Sequence, residues 1–212
     1  MENGGMHMDY LVDNYEDYLV DDDQKPVILA PTIRYHNITH DDMKNGDGLR
    51  VVLWVAGCEH HCKECQNPIT WDPDGGIPFT TWDEAEFWDW LSKPWTQGAT
   101  FSGGDPLHPR NRNKIGEMCK EIKKTYPDKD IWVYTGYDLQ VENGVFSFRN
   151  KAGETFSLPW LNDIDVLVDG RFDCEIRKCD INENKKVLWR GSSNQRLIDV
   201  PKSIKSGTIC LR

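Results

Sequence analysis

The stretch RVVLWVAGCEHHCKEC, Arg50–Cys65, joins the two signals that decide the fold. Its first half is a continuous apolar run rich in valine. That pattern reads as a strand buried on both faces, as in a parallel sheet. Its second half places Cys58, Cys62 and Cys65 in one short loop directly after that strand, with His60 and His61 between them.

Working outward, the same alternation recurs. TTWDEAEFWDWLSK predicts a helix, with Thr80 and Thr81 as capping candidates and Phe87, Trp88 and Leu91 at helical spacing. GATFSGGDP predicts a short strand ending in Gly103 and Gly104. NRNKIGEMCKEIKKTYP predicts a second helix whose inner face carries Ile115, Met118, Cys119 and Ile122. DIWVYTGY and DIDVLVDGRF predict two more strands. The order β-loop-α-β-α-β implies an α/β domain with parallel strands. Between Tyr137 and Leu161 no helical pattern is present, and polar-apolar alternation around Asn143-Gly144 predicts a β-hairpin near 141–156. WRGSSNQR reads as a turn that satisfies its own backbone, or as a wall of a site. Residues 1–26 are acidic and polar, an extension expected to be disordered or loosely docked; the folded domain is expected over 27–212.

The totals exclude several classes. The chain has 212 residues and a net charge of −10, which argues against non-specific binding to nucleic acid or anionic membranes. No apolar run approaches the roughly 20 residues that span a bilayer. The acidic start lacks the pattern of a signal peptide, so a cytoplasmic protein is expected. In a reducing compartment, clustered cysteines point to metal or redox chemistry rather than to disulfides.

The spacing C-x3-C-x2-C supplies three thiolates and no obvious fourth ligand. Three soft sulfurs from one loop suit a cubane iron-sulfur cluster with one iron left open to a substrate. A structural zinc site needs four ligands, and His60 or His61 would have to close it from within the same loop. A zinc-binding interaction module is therefore the alternative of a different class. His60 and His61 read as loop residues without ligand duty, and Cys174 and Cys179 as ordinary thiols.

Taken together, C-x3-C-x2-C after one strand and SGGDP after the next resemble the radical S-adenosylmethionine superfamily. NGDGLRVVLWVAGC, CQNPITW, SGGDPLHPRN, KDIWVYTGY, DVLVDGRF and WRGSSNQR resemble, in order, the activating enzymes of anaerobic (class III) ribonucleotide reductase. These blocks span Asn45 to Arg196. The resemblance implies an incomplete, open parallel (β/α) barrel, since a full eight-fold barrel takes ~250 residues, with the 141–156 hairpin as an insertion.

The resemblance also implies a [4Fe-4S] cluster on Cys58, Cys62 and Cys65, with S-adenosylmethionine bound at the open iron. Its reductive cleavage would give a 5′-deoxyadenosyl radical that takes hydrogen from a glycine of the reductase large subunit. Reduced flavodoxin is the electron donor the family suggests. Cofactor contacts are expected from Glu64 and Gln66 beside the last cysteine, and from Gly103, Gly104 and Asp105. They are also expected from Thr135, Gly136 and Tyr137, with Tyr137 as a stacking candidate for adenine. Asp169, Gly170, Arg171 and Phe172 complete the set, Asp169 as a candidate for the ribose hydroxyls. Glu64 and Gln66 depart from the family, which often has glycine and tyrosine at these positions. An activase for another glycyl-radical enzyme, such as pyruvate formate-lyase, is the nearest alternative.

Overall fold

A computed structural model describes residues 33–212. The acidic extension expected over 1–26 lies outside the described residues. In chain order the elements are β1 (Arg34–Asp42), β2 (Leu49–Val55), β3 (Ile77–Pro78), α1 (Thr81–Ser92), β4 (Thr96–Gly103) and α2 (Arg112–Thr125). They continue with β5 (Asp130–Tyr134), β6 (Asp138–Glu142), β7 (Val145–Arg149), β8 (Thr155–Phe156) and β9 (Val166–Asp169). The last are α3 (Cys174–Asn182), β10 (Arg196–Asp199) and α4 (Val200–Ser206).

Seven strands form one mixed sheet in the order β10-β9-β5-β4-β2-β1-β3. The four central strands, β9, β5, β4 and β2, run parallel. β10 pairs antiparallel at one side; β1 and then β3 pair antiparallel at the other. Among the described residues the sheet does not close on itself, with β10 and β3 as its two edges. All four parallel strands end on the same side, so their following loops converge there, as open α/β sheets require of a ligand site.

The two faces of the sheet differ because side chains alternate along each strand. Val51, Leu53, Val55, Phe101, Val133 and Leu167 share the main core with Phe87 and Leu91 of α1 and Ile115, Met118 and Ile122 of α2. α1 begins where Thr80 donates its backbone N–H to the Asp83 carboxylate at 2.6 Å, a capping arrangement that also receives the Tyr35 hydroxyl at 2.7 Å. Cys119 is fully buried on the inner face of α2.

A smaller cluster of Trp132, Val166 and Val168 shares one core with Tyr134, Trp189 and Leu197. At its lower end lies Arg50, 0% exposed. Its guanidinium donates to Thr100 Oγ1 at 2.7 Å, Asp130 Oδ1 at 2.7 Å, Ala99 O at 2.7 Å and Asp47 O at 2.9 Å. It also stands 5.4 Å from the Trp132 ring centroid. A buried cation is tolerated only when its donors are matched in this way. Nothing in the local sequence pattern marks Arg50 as interior, because its side-chain partners, Thr100 and Asp130, lie 50 and 80 residues downstream.

β6 and β7 form a hairpin in which Glu142 faces Val145. Asn143 and Gly144 both have positive φ, at 51° and 77°, as a two-residue turn of this kind requires. β8 extends the hairpin to a separate three-stranded sheet. Leu139 and Phe148 anchor it to the main core.

Arg50→Leu keeps an apolar stem but strips Asp130 of its partner. Chemical denaturation is expected to show a loss of about 3 kcal/mol, the scale of a broken buried pair. A loss below about 0.5 kcal/mol would mean that the network contributes no more than a surface pair does.

Candidate functional site

Four loops follow the four parallel strands, and one cavity of about 610 Å³ lies among them. The loop after β2 turns at Gly57, whose φ is +98°. Gly57 N donates to Thr70 O and Cys58 N to Trp71 O, so the cysteine loop is stitched to the segment that returns from it. His61 and Glu64 both adopt positive φ, which winds the three cysteines into a tight path. All three cysteines are partly exposed free thiols that line the cavity.

One sulfur is already addressed by an amide: Asn67 N donates to Cys65 Sγ at 3.4 Å. The nearby His60 backbone favours the Cys58 thiolate. Burial, with the nearby Asp105 charge adding to it, pushes the Cys58 thiol up to about 12. As a free thiol this group holds its proton, and a bound metal would have to displace it. Three convergent sulfurs, with an N–H donor on Cys65, fit a thiolate-held iron-sulfur cluster. Around them, Lys44, Arg177 and Arg190 bring positive charge to the cavity of a chain whose net charge is −10.

The loop after β4 holds Gly103, Gly104 and Asp105. A Cβ on Gly103 would lie 2.7 Å from the Trp54 and Val55 backbone, and one on Gly104 would lie 2.5 Å from Gly57 O. Both glycines therefore let two loops meet backbone to backbone. Gly104 N donates to Val55 O and Asp105 N to Gly57 O, each at 2.8 Å.

Asp105 is 1% exposed and gathers the neighbouring loops. Its carboxylate accepts from Leu107 N at 2.8 Å, Thr135 Oγ1 at 2.9 Å, Gly136 N at 2.9 Å and His60 Nε2 at 2.7 Å. Asn111 Nδ2 adds bonds to Ala56 O and Asp105 O.

The cavity brings together most of the residues expected at the site. From the first loop come Cys58, Cys62, Cys65 and Gln66; from the second, Gly103, Gly104 and Asp105. Thr135 and Gly136 follow β5, and Gly170 and Phe172 follow β9.

Four expected residues lie elsewhere. Glu64 is exposed and pairs with Lys178 at 2.9 Å. Tyr137 is 2% exposed and its ring makes edge contacts with His60 and Phe156, so it does not offer adenine a face. Asp169 is fully buried, accepting from Leu139 N at 2.7 Å and Arg196 Nε at 2.8 Å, which takes it away from any ribose. Arg171 donates to His60 O and stands behind the loop. Tyr137, Asp169 and Arg171 are drawn to partners in the wall, and Glu64 to a lysine on the surface.

WRGSSNQR is a self-satisfying turn that also forms a wall. Gln195 Oε1 accepts from Gly191 N and Ser192 N, while its Nε2 donates to Gly170 O at 2.9 Å. Trp189, Arg190, Gly191 and Gln195 line the cavity. Cys174 sits with Glu64 and Glu175, all ligand atoms within 4.8 Å, but Lys63 and Lys178 already hold those carboxylates. Cys179 is exposed. His60 is the residue that the sequence pattern missed: it is 3% exposed and bonded to Asp105, 45 positions away.

A family model described as a 4Fe-4S single cluster domain matches residues 44–198. The anaerobic ribonucleoside-triphosphate reductase-activating protein of Enterobacteria phage T4 is 39% identical over 165 residues, 78% of this chain and 93% of that protein. The protein of the same name from Pasteurella multocida (strain Pm70) is 39% identical over 156 residues, 73% of this chain and 89% of its own. That of Escherichia coli (strain K12) is 37% identical over 165 residues, 77% and 96% of the two chains.

Gly104→Ala is expected to destabilise the metal-free protein by about 2 kcal/mol, the usual scale of overpacking, because the obstacle is backbone that cannot step aside. Thermal or chemical melts check this; an unchanged melt would mean the two loops are not held in contact.

Proposed function

The chain belongs to the family of anaerobic ribonucleoside-triphosphate reductase-activating proteins, radical S-adenosylmethionine enzymes with a [4Fe-4S] cluster, and on that premise we propose the roles of its residues. Cys58, Cys62 and Cys65 hold the cluster and leave one iron without a protein ligand. When bound, the cluster would supply one electron to cleave S-adenosylmethionine into methionine and a 5′-deoxyadenosyl radical, and that radical would take hydrogen from a glycine of the reductase to give 5′-deoxyadenosine and a glycyl radical. The convergence of three partly exposed cysteines and the two-glycine turn on one cavity carries this reading.

The rest of the wall orients and encloses. The amides of Gly104 and Asp105 are engaged with Val55 and Gly57, and Asp105 O accepts from His108 N and Asn111 Nδ2, so the turn would meet an ammonium group through the carbonyls of its glycines. Lys44, Arg177 and Arg190 suit the carboxylate of an amino acid and offset the negative cluster. Gly136 and Gly170 keep the rim low where a nucleoside must lie. The open sheet, read as an incomplete parallel barrel, leaves a side free for a loop of the reductase. Partly exposed cysteines also give an external donor such as reduced flavodoxin a short path to the cluster. Seven free thiols suit the cytoplasm. Among the described residues no helix is long and apolar enough to cross a membrane.

Anaerobic reconstitution is expected to give about four irons per chain and broad visible absorption. Cys58→Ala should lose both, while Cys174→Ala should keep them. Stoichiometric zinc without a cluster would overturn the ligand assignment. With S-adenosylmethionine, a reductant and the cognate reductase large subunit, EPR should detect a glycyl radical. A radical on another glycyl enzyme and none on the reductase would move the assignment to that partner.

A further inference from the structure

We infer that His60 is a positioning residue that fixes the cluster-bearing loop against the loops that receive S-adenosylmethionine; this rests on the proposed function of the site. His60 lies two residues after Cys58 and is the point where all four strand-end loops meet. It belongs to the loop that carries all three cysteines, between Cys58 and Cys62. Its ring Nε2 bonds Asp105 Oδ2 at 2.7 Å in the second loop. Its ring lies against Gly136 in the third, where a Cβ would come within 2.4 to 2.7 Å of the ring atoms. Its carbonyl accepts from Arg171 in the fourth.

The protonation pattern follows from chemistry. A carboxylate only accepts, so the ring nitrogen that faces Asp105, Nε2, carries a proton and donates it. Nδ1 is buried with no hydrogen-bond partner among the described residues.

The reason for such a clamp is geometric. Three cysteines in a short loop can hold a cluster without fixing where it stands relative to the rest of the cavity. A cofactor that touches both the cluster and the two-glycine turn needs that separation held to a fraction of an ångström. The His60–Asp105 bond spans this gap directly.

The test uses cluster-loaded full-length protein under anaerobic conditions. Wild type is measured first: iron content, S-adenosylmethionine affinity by calorimetry, and the EPR spectrum of the reduced cluster with and without S-adenosylmethionine. His60→Leu should keep its iron but bind S-adenosylmethionine about tenfold or more weakly, the scale of a lost bond to a charged group, with a diminished EPR response. His60→Gln, which retains a donor at the Nε2 position, should restore most of both. His61→Asn, at the exposed neighbour and compatible with its positive φ, should behave as wild type. Normal affinity and EPR response in His60→Leu would overturn the inference. So would joint loss of iron and cofactor binding that His60→Gln does not rescue, since His60 would then build the loop rather than position it. A wild-type cluster indifferent to S-adenosylmethionine would instead defeat the reading of the site itself.

Discussion

The Asp105 carboxylate is the constraint on which the site depends. Two oxygens, 1% exposed, receive donors from the cysteine loop, from their own turn and from the loop after β5. A buried charge without these donors would be too costly to keep. With them it becomes a node that holds loops from distant parts of the chain. The backbone bonds from Gly104 and Asp105 to Val55 and Gly57 reinforce the same contact, and glycine is what permits the approach.

The division of labour in the sheet follows the same logic. One face is covered by α1 and α2 and is apolar throughout, which supplies the main core. The second carries the Trp132 cluster and the matched Arg50 network. Antiparallel strands at both sides leave the sheet open, and the strand-end loops stand clear above it. The result is a rigid floor with a ring of loops, the arrangement from which a site gains precision.

What was legible in the sequence was local. The valine run before Cys58 marks β2, Phe87 and Leu91 at helical spacing mark α1, and Asn143-Gly144 marks the turn between β6 and β7. Residues placed by chain ends of strands, such as Gly103, Gly104, Thr135 and Gly170, also line the cavity. What was not legible was set by distant partners. α3 buries only Cys174 and Asp180, so no apolar stripe announces it. α4 is seven residues long, too short for periodicity to speak. Tyr137 and Asp169 stand beside lining residues, yet His60, Phe156 and Arg196 draw them into the wall. His60 looked like a loop residue because its partner is 45 positions away.

The central claim is that three thiolates leave one iron open for the amino acid end of S-adenosylmethionine. Electron-nuclear double resonance on the reduced cluster, with S-adenosylmethionine carrying a labelled amino nitrogen, tests it most directly. The account predicts a hyperfine coupling from that nitrogen, present in wild type and absent without the cofactor. A reduced cluster with tightly bound cofactor and no such coupling would contradict it.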